Sequence, residues 1–190
     1  FRRSISHLIT KLLANPRAGM FIEEAARTDD PTLLHGSNVC FLSVLMGLKL
    51  DFYLMRERSR LSASAAREVS SLGVAGMMHD IGMLKLSPDV LARWYSTQDE
   101  NDPEWRQHVH LGFEMLSGEV EPAAAAAVLH HHQKFDGSGF PMKHTLQGGD
   151  SPLKGSEIHI FARIIAAADL FDRLRYPPPQ RQGLQQENVP

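Results

Sequence analysis

The sequence contains ten histidines among its 190 residues, and several of them fall with aspartates on predicted inward helix faces. Histidine is a common metal ligand, and a buried carboxylate is costly unless it is paired or bound to a metal. Because these side chains lie on different helices, they can converge only if the helices pack as a bundle. The predicted metal ligands are His35, His79, Asp80, His108, His131, His132 and Asp169, and Asp172 falls on the same predicted helix face as Asp169.

The number and type of these ligands indicate more than one ion. Six or seven nitrogen and oxygen ligands exceed the four that a tetrahedral zinc site uses. They suit two borderline ions bridged by a carboxylate, and we predict two divalent ions, with iron favoured and manganese as the second choice. A lone His35 would more often be an ordinary core histidine, and the run 130–132 alone could be a solvated helix end. The prediction therefore rests on the whole set.

Four other histidines are predicted to be ordinary surface residues. On the helix that carries His108, His110 is displaced from the inward face by about 200° at 100° per residue. His7, His144 and His159 lie off the inward faces or in loops.

Helical periodicity predicts the elements that position the ligands. Ser87-Pro88-Asp89 and Asp102-Pro103-Glu104 each combine a capping side chain with a proline at the first helical position. No strand-like alternation extends beyond a few residues, so the predicted fold is an all-α helical bundle. The predicted helices are 4–13, about 32–50, about 62–78, 87–95, 102–118, 121–132 and one that begins near Ser156.

Composition and the positions of glycine- and proline-rich stretches divide the chain into three parts. Residues 1–30 are predicted to be an N-terminal helix and a connector, the end of an upstream region, because the chain begins with Phe1. Residues 31–176 are predicted to form the main domain, with a loop from Phe135 to Gly155 that is rich in glycine and proline. Residues 177–190 are a tail rich in proline and glutamine with too little apolar content to pack.

Bulk composition argues against several classes of protein. A net charge of −2 gives no basic stripe for a nucleic-acid polymer. No apolar run approaches the roughly 20 residues that span a bilayer. The single cysteine, Cys40, excludes an internal disulfide and is expected to be a core residue. We therefore expect a domain in the reducing cytoplasm.

Two motifs resemble those of a known family. His79-Asp80-Ile81-Gly82 resembles the signature of the HD phosphohydrolase superfamily, and residues 131–141, HHQKFDGSGFP, resemble the longer HHExxDGxGYP motif of HD-GYP domains. His35, His108 followed by Gly112, and residues 168–172 resemble further elements of that group. The resemblance covers roughly residues 31–176. It implies a helical bundle with a buried centre of two or three metals that hydrolyses cyclic di-GMP to pGpG or GMP.

The resemblance also implies roles for individual residues. Asp80 is expected to bridge the two ions at the catalytic centre, where they neutralise charge on a phosphodiester. The loop after the second histidine motif is expected to shape one wall of the substrate cleft, and its glycines allow a tight turn close to a ligand. The expected substrate-binding residues are Lys85, Asp136, Gly137, Gly139, Phe140 and Pro141.

The sequence departs from the family pattern at four positions. Met83 stands where the family has a lysine that contacts phosphate, Phe140 replaces a tyrosine, and Gln133 replaces a glutamate. Pro31 occupies the position of a glutamate found with a third metal, which favours two ions. We therefore predict hydrolysis that is slow or undetectable and that becomes faster when Met83→Lys and Phe140→Tyr are combined.

These departures leave two alternatives open. One is a catalytically degenerate module that keeps the metal core and binds nucleotide or a signalling protein through the surface around Phe140. The other is an HD phosphohydrolase that acts on a different phosphate ester, although the long loop motif counts against it.

Overall fold

The computed structural model describes residues 31–144 and 148–175. The predicted helix at 4–13, His7 and the tail from residue 177 lie outside the described residues. Three short 3-10 helices lie at Ile81–Lys85, Trp105–Gln107 and Gly155–Glu157. The α-helices are α1 Pro31–Lys49, α2 Asp51–Glu57, α3 Ala63–Ala66, α4 Ser70–Met78, α5 Pro88–Thr97, α6 His108–Leu116, α7 Pro122–His130 and α8 Ile160–Arg175.

The predicted helical bundle is confirmed. Helix α1 packs against α4 and α8, and α7 packs against α4, α6 and α8. Their apolar faces meet in one core in which Val39, Leu72, Val128, Phe161 and Ile165 are completely buried. This packing turns the histidine-bearing ends of four helices toward one another.

The helix predicted at about 32–50 ends close to its expected boundary, but a second short helix follows it. Helices α1 and α2 meet at Leu50 with a bend of 84°. In the described parts of the chain, no single helix is long and apolar enough to cross a membrane, although this bent pair reaches the required length and composition. Cys40 lies half-buried on α1, and burial raises the pKa of its thiol to about 11.

The helix predicted at 62–78 is broken in two. Arg58 donates to the carbonyl groups of Ala65, Ala66 and Glu68, which satisfies acceptors that a continuous helix would pair internally. The Glu68 carboxylate in turn accepts from the Ser70 amide at 3.1 Å, at the start of α4. Helical periodicity could not predict this break, because the break depends on hydrogen bonds from Arg58, which lies outside the predicted helix.

The two predicted capping motifs are confirmed with one adjustment. Ser87 Oγ accepts from the Val90 amide at 3.4 Å at the start of α5. Asp102 Oδ1 accepts from the amides of Glu104 and Trp105, but the segment that it caps begins as a 3-10 helix before α6. The segment turns at Gly118 with a φ of +85°.

The loop between α7 and α8 contains a small hairpin that the sequence did not predict. Strands β1, Lys143–His144, and β2, Asp150–Ser151, pair antiparallel, with Lys143 opposite Ser151. Two residues per strand are too few to show an alternating pattern. Helix α8 begins at Ile160, four residues later than predicted, because Gly155–Glu157 forms a 3-10 helix.

A second, smaller apolar cluster lies beside the histidines. Trp94 and Trp105 stack at its centre with ring centroids 3.8 Å apart. Its buried members are Met83, Val90, Trp94, Trp105, Val109 and Phe140.

Candidate metal centre

The structure brings all seven predicted ligands into two adjacent groups. The first comprises Asp80, His108, His131 and His132, and the second comprises His35, His79 and Asp169. Within each group the ligand atoms lie within 4.8 Å of one another. Histidine and carboxylate donors in each group could hold a divalent ion.

Asp80 lies between the two groups with one oxygen directed at each. Its Oδ2 is 3.3 Å from Nε2 of His79. Its Oδ1 is 3.5 Å from Nε2 of His108 and 3.6 Å from Nε2 of His131. This arrangement suits a carboxylate that bridges two cations.

Three histidines are held in the orientation that a metal ligand needs. His79, His108 and His131 each donate Nδ1–H to the carbonyl group three residues earlier, at 2.7–2.8 Å. Their Nε2 lone pairs therefore point into the centre. These Nε2 atoms, with that of His132, are buried and have no hydrogen-bond partner among the described residues. Orphaned buried acceptors of this kind fit metal ligands, because a buried polar atom without a partner is otherwise costly.

His35 is oriented by a residue outside the predicted ligand set. Its Nδ1 donates to Asp172 Oδ2 at 2.7 Å, and its Nε2 lies 3.2 Å from Asp169 Oδ1. Asp172 is buried on the same face of α8 as Asp169. The sequence indicated its inward face but not this role, because helical phase does not identify the partner.

Close contact between the backbones at Gly82 and Gly112 sets the distance between the segments that carry Asp80 and His108. A Cβ at Gly82 would lie 1.9 Å from the carbonyl oxygen of His108 and 2.5 Å from the amide nitrogen of Gly112. Only glycine allows the backbone after Asp80 to approach α6 so closely. This contact places Asp80 beside His108.

Charge and burial have opposite effects on the pKa values of His79, in the second group, and of Asp80, between the two groups. Burial alone would lower the pKa of His79, but the charges of Asp80 and Asp169 outweigh it and raise the pKa to about 9. Burial similarly opposes the charged form of Asp80, but His79, His131 and His108 hold its pKa well below the ordinary value. Without an ion, Asp80 is thus an anion and His79 is protonated at pH 7, so an ion that bound Nε2 of His79 would displace its proton.

Burial dominates in the first group. It lowers the pKa of His108 to about 4, despite the opposing charge of Asp80. It also lowers the pKa of His132 well below 6.5, with added effects from His131 and His108. Both imidazoles are therefore neutral at pH 7, as ligands must be.

The expected substrate loop is anchored to this group. Phe140 is buried and its ring stacks on His132 with centroids 4.7 Å apart. A Cβ at Gly139 would lie 2.3 Å from the His132 carbonyl oxygen, so the loop backbone lies directly against the ligand segment. Gln133 donates to the Pro141 carbonyl group, a bond that the family's glutamate could not make as a carboxylate.

The other expected substrate-binding positions are more peripheral. Asp136 is exposed and accepts from the amide and hydroxyl groups of Ser138, which stabilises the turn at Gly137, where φ is +88°. Lys85 is exposed, whereas Met83 is buried in the second apolar cluster with 7% of its surface exposed. A side chain at position 83 therefore packs into the protein interior.

Comparison with known proteins agrees with this geometry. A family model described as "HD domain" matches residues 53–188, more than half of the chain. The chain belongs to the HD domain family. The matched segment of this HD domain contains six of the seven predicted ligands, and His35 precedes it.

The curated relatives of this HD domain are cyclic dinucleotide phosphodiesterases. Cyclic di-GMP phosphodiesterase PA4108 of Pseudomonas aeruginosa is 25% identical over 94% of this chain and 39% of its own length. The response regulator RpfG of Xanthomonas campestris, also named a cyclic di-GMP phosphodiesterase, is 30% identical over 61% of this chain and 29% of its own. The 3'3'-cGAMP-specific phosphodiesterase 2 of Vibrio cholerae is 30% identical over 61% of this chain and 21% of its own. The chain thus spans about a fifth to two fifths of the length of these relatives.

Three of the histidines predicted to lie outside the HD site are described, and neither ligand group includes them. His144 is exposed and pairs with Asp150 across the hairpin at 2.5 Å. His110 is half-buried on α6. His159 is half-buried, and its Nδ1 accepts from the Phe161 amide at 3.2 Å, at the start of α8.

Proposed function

We propose that this HD domain is a metal-dependent phosphodiesterase of bacterial signalling that hydrolyses cyclic di-GMP to pGpG or GMP in the cytoplasm. The observation that carries the proposal is the position of Asp80, whose two oxygens face two separate groups of buried histidines and carboxylates. A site with one ion would need neither the second group nor a shared carboxylate.

The ligand sets divide between two ions. Asp80, His108, His131 and His132 would hold one ion, and His35, His79 and Asp169 would hold the other together with the second oxygen of Asp80. Two divalent ions held by these residues would supply positive charge to the phosphodiester oxygens and would lower the pKa of an attacking water. Nitrogen and oxygen donors of this kind favour iron, with manganese as the second choice.

The protein's own contribution is to fix the ligands and shape the cleft. Backbone carbonyl groups and Asp172 fix the imidazole rings before any ion binds, so little reorganisation is needed. The loop from Asp136 to Pro141 lies against His132 and forms a wall beside the first group. Catalysis depends on such positioning, since small misplacements of reacting groups are costly in rate.

The names of the relatives support a cyclic dinucleotide as the substrate class. Two of them are named for cyclic di-GMP and one for 3'3'-cGAMP, which differs in one base. Cyclic di-GMP is the first choice because the long loop motif of this chain resembles that of HD-GYP domains.

Metal content tests the centre directly. The purified domain should contain about two equivalents of iron or manganese by elemental analysis. Asp80→Ala should remove at least one ion and lower the free energy of unfolding, because the remaining ions would lose their shared carboxylate. His144→Ala is the matched control, since His144 pairs with Asp150 outside both groups. A folded wild-type protein without metal, or an Asp80→Ala variant with full occupancy, would contradict the assignment.

Activity separates the enzyme from the second candidate function, a binding module that retains its metals. The burial of Met83 and Phe140 favours that alternative, because neither position presents an ammonium or hydroxyl group to the cleft. The metal-loaded domain should be incubated with cyclic di-GMP and, separately, with 3'3'-cGAMP, and the products should be followed by chromatography. Formation of pGpG that is lost in Asp80→Ala supports the enzyme. Tight binding of cyclic di-GMP without any product over many hours supports the binding module.

A further inference from the structure

Arg173 lies at the edge of the metal centre but is not one of the predicted ligands. Its Nη2 is 2.8 Å from Asp169 Oδ2, the oxygen that faces away from His35 and His79. Its Nη1 is 3.2 Å from Glu100 Oε1, and its side chain is 27% exposed. The guanidinium group therefore contacts the second ligand group directly, through Asp169, and still reaches solvent.

Glu100 is the outer partner of Arg173 and is surrounded by cations. Its other oxygen, Oε2, is 3.9 Å from Lys134 Nζ, at the base of the substrate loop. Arg106 donates from Nε to the Glu100 carbonyl group at 2.6 Å, and its guanidinium group lies over the Phe140 ring. Two cationic side chains, Arg173 and Lys134, thus share the Glu100 carboxylate, and Arg106 lies beside its backbone.

The donor groups of Arg173 suit a phosphate ligand. A planar guanidinium group binds phosphate through two parallel hydrogen bonds, and Arg173 has its Nε atom buried without a partner among the described residues.

We propose that Arg173 binds a phosphate group of the substrate, and that Glu100 is its resident counter-ion, which gives way when that phosphate arrives. This inference rests on the proposed function for the identity of the substrate. Met83 is buried beneath the site, so Arg173 supplies positive charge that position 83 does not. Arg173 is then a substrate-binding residue, and Glu100 weakens binding by competing for it.

Arg173 can exchange Glu100 for a phosphate group. The Glu100 side chain is 36% exposed, and a partly solvated ion pair changes an equilibrium by roughly fivefold or less. A phosphate group offers more charge and better geometry to the same guanidinium group. Binding should therefore displace Glu100 from Arg173 while the contact with Asp169 remains.

The test measures the Kd of cyclic di-GMP for the metal-loaded domain before product accumulates, with metal content recorded for each variant. Arg173→Ala should weaken binding about ten- to a hundredfold, the loss expected for a hydrogen bond to a charged group. Arg173→Lys should recover part of that loss. Glu100→Gln should tighten binding about two- to fivefold, because it removes the competing charge. The matched controls are Arg93→Ala and Glu104→Gln, an exposed pair on the other side of the same connection, and neither should change Kd.

Wild-type affinity in Arg173→Ala, with its metals in place, overturns the proposal. If Arg173→Ala loses metal, the test rests on Glu100→Gln, because that change leaves the contact between Arg173 and Asp169 intact. Unchanged or weaker binding of cyclic di-GMP by Glu100→Gln then overturns the proposal. Inorganic phosphate serves as a second probe that separates this inference from the proposed function. If the wild type binds no cyclic dinucleotide but Arg173→Ala still loses phosphate affinity, the substrate assignment fails and the role of Arg173 stands.

Discussion

Gly82→Ala offers a test of the site's geometry that leaves every candidate ligand unchanged. The added Cβ would lie 1.9 Å from the His108 carbonyl oxygen and 2.5 Å from the Gly112 amide nitrogen. Both neighbours are backbone atoms, so no side chain can rotate away. The two segments must separate by more than about 1 Å to restore an ordinary contact, a shift typical of an overpacked core.

That separation should lower both stability and metal binding. Overpacking of this kind costs about 1–3 kcal/mol of unfolding free energy, and more where backbone must move. It also moves Asp80 relative to His108, whose Nε2 lies only 3.5 Å from the Asp80 carboxylate. We therefore expect a lower urea midpoint and loss of metal, above all from the group that contains His108.

Urea denaturation of the metal-free protein and elemental analysis of the metal-loaded protein measure the two effects separately. Gly118→Ala is the control, because its Cβ would meet nothing within 4 Å. Its φ of +85° should cost about 1 kcal/mol of stability without affecting the metals. A Gly82→Ala protein with wild-type stability and full metal content would refute the view that this glycine contact sets the spacing of the site.

Three further predictions concern other regions. The pKa of His159 is lowered to about 4 by burial and the charges of Arg58 and Arg163, so its neutral form caps α8. As the pH falls from about 6.5 to 4, the unfolded chain takes up a proton that the folded protein does not, so stability should fall. His159→Asn, which retains a capping acceptor, should flatten that dependence in urea titrations at several pH values. His144→Ala should leave metal content and hydrolysis unchanged, as measured by elemental analysis and product formation. Combining Met83→Lys with Phe140→Tyr should speed hydrolysis of cyclic di-GMP. Burial of the added ammonium group should at the same time lower the thermal midpoint. If the double variant keeps its metals and hydrolyses cyclic di-GMP no faster than the wild type, the ammonium and hydroxyl contacts are dispensable.

Much of the candidate site could be predicted from the sequence because helical periodicity is a local property. The phase of His35, His108 and Asp169 on their helices follows from their spacing to apolar neighbours, and each lies on the expected inward face. The loop motif likewise indicated a tight turn, and the backbone does turn at Gly137, where φ is +88°.

The division of the ligands into two groups could not be predicted, since it depends on distances between atoms far apart in the chain. Periodicity gave no reason to separate His79 from His108, or to direct one oxygen of Asp80 at each. The contact between Gly82 and α6 determines that arrangement.

The residues that support the ligands were also beyond sequence reasoning. The spacing showed that Asp172 faces inward but not that it orients His35, and nothing in the spacing joined Arg173 to Glu100, 73 residues earlier. Met83 was identified as a departure from the family pattern, yet only the structure shows it packed in an apolar cluster with Trp105. A sequence pattern determines which side of a helix a residue occupies, whereas its partner depends on how whole helices and loops pack together.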